Sequence, residues 1–102
     1  MSALILILAA VLEVAGDAVI RKGLRAEGWA LVAAGFVVLG SYGVVVNLVQ
    51  VDFSRMLGAY VGVFALVSVL AGRVVFGDRV PVATWAGLGI ILAGSAVIHF
   101  GR

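Results

Sequence analysis

Cysteine is absent, proline and histidine occur once each, and charged residues make up only 12% of the 102-residue chain. Without cysteine there is no disulfide framework and no thiolate metal site. A lone His99 cannot assemble a metal site by itself and reads as an interfacial residue near the C-terminus. With neither a thiol, a metal cluster nor a Ser, His and Asp set, no enzyme and no cofactor are expected. The formal net charge is only +2, so the pI near 9.7 reflects a few loop cations suited to anionic lipid headgroups. No basic face is left over for a nucleic acid.

What fills the chain is oil. Hydrophobic residues reach 65%, and mean hydropathy is +1.30. A hydrocarbon layer about 30 Å thick takes roughly 20 apolar residues per helical span. Four such runs lie at approximately 3–20, 29–50, 57–76 and 83–100. The sequence therefore predicts a single all-α integral membrane domain over 1–102, with almost nothing outside the bilayer. The first run has no basic leader and no clear small-x-small cleavage site, and it carries two acids near its end, so it reads as a mature helix.

The connections are short. "IRKGLRAEG" places Arg21, Lys22 and Arg25 with Gly23 and Gly28 in a charged first turn, and Trp29 opens the second helix at interfacial depth. "QVDFSR" forms the second turn, where Asp52 and Arg55 can pair if the backbone is already helical. In "FGDRVP", Gly77 and Asp78 stop the third helix and Pro81 suits the first turn of the fourth. Links this short join antiparallel neighbours, giving an up-down-up-down bundle with both termini on one side. Turns one and three carry five basic residues (Arg21, Lys22, Arg25, Arg73, Arg79), against two (Arg55, Arg102) on the other side. The bias favours termini outside and turns one and three in the cytoplasm, and the expected location is a bacterial-type inner membrane.

Against this background "LEVAGD" stands out, with Glu13 and Asp17 one helical turn apart. An ionised carboxylate at mid-bilayer costs roughly 2.5–3.5 kcal/mol on insertion scales, so such residues mark ion or substrate paths by default. Glu13 lies near the middle of the first run, and Asp17 about 6 Å further along the same face, within a turn of Arg21. Asp17 therefore has two readings, a functional acid or an ion-pair partner of Arg21. Glu13 has no base at i±3 or i±4; it is either a proton and cation site or a protonated acid hydrogen-bonded to another helix. Leu6, Ala9, Ala10, Gly16 and Ile20 share its face, and the small ones leave room for a ligand or a second helix. Tyr60 and Phe64, four apart on the third helix, can offer ring faces to a cation and a hydroxyl to a carboxylate, or can simply pack. Gly58 and Gly62 form a G-x-x-x-G step, and Gly87 and Gly94 lie seven apart on the fourth helix; each pair can serve packing within one subunit or between copies.

Several of these motifs together resemble the small multidrug resistance transporters. The acid in "LEVAG", the "GAY" of the third helix, the "FGDRV" turn and the "GLGIILAG" stripe carry the resemblance. The second half is most similar to the YnfA-like branch, through Arg55, Ala59, Tyr60, Gly62, Val63 and Phe64, then Trp85 and Gly87. The resemblance implies a dimer of four-helix subunits, usually antiparallel, exchanging protons for small cations by alternating access. It implies Glu13 as the acid for which proton and substrate compete, Tyr60 beside it, and Gly87 and Gly94 as a dimer stripe. Val63 stands where many members place tryptophan, Ala65 and Val67 replace a glycine pair, and Asp17 is an addition. The charge bias also suits one half of a heterodimer of paralogues. Two alternatives to proton-coupled cation export are a non-transporting membrane assembly protein and a carrier of a lipid-linked polar headgroup.

Overall fold

The computed structural model describes residues 2–26 and 28–101. They form four α-helices, α1 (Ser2–Arg25), α2 (Trp29–Val46), α3 (Phe53–Val75) and α4 (Val82–Phe100), and no strand. At about 1.5 Å per residue even the 18-residue α2 extends roughly 27 Å, enough to cross most of a bilayer core. All four are long and apolar enough to span a membrane. Their outer faces carry bare aliphatic side chains, with Leu4, Val37, Ile90 and Val97 each 70% or more exposed. In water such a surface would aggregate; in lipid it is the solvated one.

The chain divides into two helical hairpins, Met1–Val49 and Gln50–Arg102. In the first, Gly16 of α1 meets Gly35 and Leu39 of α2, and Gly23 meets Gly28 and Val32, so numbers fall on one helix as they rise on the other. A Cβ built on Gly16 would lie 2.9 Å from the Leu39 nitrogen and 3.1 Å from the Gly35 carbonyl oxygen. Only glycine lets the two backbones approach so closely. The second hairpin uses the same device with a polar addition. Gly58 faces Ile98 and Gly62 faces Ser95, whose buried hydroxyl donates to the Ala59 carbonyl at 2.7 Å, with the Gly58 carbonyl at 3.0 Å. It accepts the Gly62 N–H at 3.2 Å. The G-x-x-x-G step of α3 is thus occupied within its own hairpin.

Three boundaries differ from those expected of the sequence. α1 runs through the basic stretch to Arg25, because Arg and Lys are good helix formers and Gly23 packs against the start of α2. The Ala26 N–H then donates to Lys22 O at 3.0 Å and the Gly28 N–H to Gly23 O at 2.7 Å, closing the helix end. α2 stops at Val46, where the Asn47 amide turns back to donate to Gly43 O at 2.7 Å, competing with helix propagation. α3 starts at Phe53, and Arg55 in its first turn donates to the His99 carbonyl at 2.7 Å, a terminal acceptor of α4. The third turn is as expected: Gly77 has φ 65°, the left-handed region that favours glycine, and the Asp78 N–H returns to Gly72 O at 2.9 Å. Glu27, in the first turn, and Arg102, counted in the charge bias, lie outside the described residues.

Candidate functional site

Glu13 is the twelfth residue of the 24-residue α1, so a helix that spans the membrane carries it at mid-depth. Asp17 follows one turn later on the same face. The Gly16 and Gly35 contact sets the register of α2 against this face, and that register brings Tyr42 opposite Glu13. The result is an open cleft of about 450 Å³ in the first hairpin, lined by Glu13, Asp17, Phe36, Leu39, Gly40, Tyr42 and Gly43. Its volume is in the range of small-molecule sites.

Each wall has a definable role. Glu13 is half-buried and Asp17 exposed, so one carboxylate sits deeper than the other. Tyr42 is half-buried, and its phenol lies within electrostatic reach of the Glu13 carboxylate. Phe36 is 67% exposed. A Cβ on Gly40 or Gly43 would meet nothing within 4 Å, so these positions keep the α2 wall low. Two acids, a phenol and an exposed ring surround a shallow apolar trough, groups whose chemistry can satisfy a cation: the acids supply charge, and the rings supply π faces and a hydroxyl. No group of three or more His, Cys, Asp or Glu lies together among the described residues.

Of the other residues singled out in the sequence, Ala9 and Ala10 are fully buried in α1, and Gly16 is filled by the α2 backbone. Tyr60 and Phe64 belong to the second hairpin. Tyr60 is 4% exposed, and its ring centroid lies 6.0 Å from that of the half-buried Phe64. Gly87 and Gly94 leave open space on α4, with nothing within 4 Å of an added Cβ. The sequence reading missed Tyr42, Phe36, Gly40 and Gly43. The available signal was "GSYG", a tyrosine between glycines inside an apolar span rather than at its interfacial end.

Four apolar spanning helices and acids inside one of them define a multi-pass inner-membrane protein. The chain belongs to the family described as "Uncharacterised BCR, YnfA/UPF0060 family", which matches residues 1–102. A "UPF0060 membrane protein" of Mycolicibacterium gilvum is 39% identical over 97% of this chain and 94% of its own length. Its counterpart in Rhodococcus erythropolis is 38% identical over 99% of this chain and 95% of its own length. One from Streptomyces coelicolor is 39% identical over 95% and 88%. No solved structure matches the chain.

Proposed function

We propose that the protein is a proton-coupled antiporter that exports small cationic or amphipathic compounds by alternating access in a dimer. The observation that carries this reading is the cleft holding Glu13, Asp17 and Tyr42 in the first hairpin, at the mid-depth of α1. A carboxylate in hydrocarbon is costly unless protonated or paired. Proton and cation can each satisfy Glu13, and competition between them couples their movements in opposite directions. Tyr42 donates to the carboxylate or presents its ring to the cation, and Phe36 adds a second apolar face. A role for Tyr60 beside substrate rests on the resemblance to the small multidrug resistance transporters. So does assembly as an antiparallel homodimer or a pair of paralogues, for which the open Gly87 and Gly94 face of α4 leaves room.

The test is electrical current from purified protein in liposomes, challenged with guanidinium, quaternary ammonium and polyamine cations. Currents for one class that respond to a pH gradient and vanish in Glu13→Gln are expected. Proton-driven flux that persists in well-folded Glu13→Gln would remove Glu13 from the mechanism and the proposal with it.

A further inference from the structure

The α3–α4 turn holds an open cavity of about 710 Å³, lined by Arg73, Arg79, Val80, Pro81 and Trp85. Its composition is unusual for so apolar a chain: two of five lining residues are arginines. They come from opposite sides of the turn, Arg73 from the last turn of α3 and Arg79 from the link to α4. The neighbouring Asp78 is not among these lining residues; it lines an adjoining cleft of about 270 Å³ that shares Arg79, Val80 and Pro81 with this one, and its carboxylate lies beside Gly72. The amino end of α4 adds to the positive field. Its first backbone-bonded amides are those of Thr84 and Trp85, both donating to the Pro81 carbonyl, while the amides ahead of them project from the helix end.

We infer that this cavity binds the phosphate of an anionic phospholipid, held between Arg73 and Arg79 with Trp85 at the glycerol level. Guanidinium groups match phosphate oxygens in paired hydrogen bonds, and tryptophan favours the headgroup boundary. The surroundings select a lipid over a free phosphate ester. Val74 and Val82, next in sequence to the lining residues Arg73 and Pro81, are 79% and 83% exposed and give acyl chains an apolar surface to follow. Basic pockets at the ends of membrane helices are suited to such headgroups. The inference concerns the second hairpin, whereas the Glu13 cleft is in the first, and it stands or falls separately from transport.

Trp85 is its own reporter. In a Trp29→Phe background it is the one remaining tryptophan, and lipids brominated near the carbonyl end of their acyl chains quench it on contact. Brominated phosphatidylglycerol in phosphatidylcholine vesicles is expected to quench with a relative affinity about fivefold or more above brominated phosphatidylcholine. Arg73→Gln with Arg79→Gln should bring that ratio to about one, whereas the paired lysine substitutions should keep most of it. Equal quenching by the two lipids overturns the inference, as does a preference that survives the glutamines. Inorganic phosphate at millimolar concentration should not abolish the preference at constant ionic strength. If it does, the pocket reads free phosphate and the lipid assignment fails. Should the glutamine pair not fold, the unaltered arginines still give a test: raising salt must lower the ratio, and a salt-independent ratio counts against the two charges.

Discussion

The Ser95 hydroxyl of α4 donates to the Ala59 carbonyl of α3 at 2.7 Å, one helix reaching into the backbone of the other. The contact is possible because Gly62 has no side chain: a Cβ there would sit 2.6 Å from the Ser95 Cβ. Between membrane helices the hydrophobic effect gives no net attraction, so close backbones and side-chain hydrogen bonds carry the association. Ser95→Ala should therefore destabilise the α3–α4 hairpin by about 0.6–2 kcal/mol, measured by reversible unfolding in bicelles. Gly62→Val should cost more, since it displaces the helix as well as the bond. Equal stability of Ser95→Ala and wild type would leave the packing of glycine alone as the cause.

In the first hairpin the corresponding test is Gly35. A Cβ there would collide with Ile20 and lie 2.9 Å from the Gly16 carbonyl oxygen, whereas one on Gly40 would meet nothing. Gly35→Ala should cost about 1–3 kcal/mol through overpacking, while Gly40→Ala should be neutral or slightly stabilising through helix propensity. The pair shares chemistry and differs only in what the new methyl meets. Matching unfolding energies for the two variants would mean that the α1–α2 crossing is not set at Gly35.

The span count, the order of helices and the two acids were legible because hydropathy and intramembrane charge are local properties of a sequence. Boundaries were less so. α1 continues through Arg21, Lys22 and Arg25 because charged residues at a membrane surface are still good helix formers, and polarity marks where lipid ends rather than where a helix ends. α2 stops early because the Asn47 amide caps its own carbonyl end, which no hydropathy window registers. Pairing of Arg55 with Asp52 required a backbone already helical at Asp52; α3 starts one residue later, at Phe53, and Arg55 donates to the His99 carbonyl across 44 residues of sequence. Tyr42 was missed for a related reason. Its place opposite Glu13 follows from the close contact of Gly16 and Gly35, and a helix-to-helix register has to be known before a partner across it can be named.

Tyr42 offers a direct test of that register. Tyr42→Phe keeps the ring and removes the hydroxyl; if the phenol stabilises the charged Glu13 or a bound cation's partner, apparent substrate affinity should fall about three- to tenfold. Stability should change by less, because the ring still fills its half-buried position. Tyr42→Ala should lose more affinity by removing the π face as well. Liposome flux at several substrate concentrations separates affinity from maximal rate. A wild-type concentration dependence in both variants would place the substrate away from α2.

Glu13 and Asp17 are unequal in their surroundings, and the transport proposal makes them unequal in consequence. Glu13 is half-buried near the middle of its helix, and Asp17 is exposed one turn further on. Glu13→Gln should abolish coupled flux, because the amide replaces the half-buried carboxylate that a proton and a cation can satisfy in turn. Asp17→Asn should reduce flux by roughly tenfold or less, since removing a nearby exposed charge changes the field at the site by about 1 kcal/mol in a wet cleft. The double variant should then look like Glu13→Gln alone. A loss from Asp17→Asn as complete as that from Glu13→Gln would mean that the two carboxyls titrate as one unit, sharing protons between them. In that case the number of protons exchanged per cation, read from reversal potentials, should change in Asp17→Asn wherever residual current remains; an unchanged ratio would assign Asp17 to binding the substrate instead.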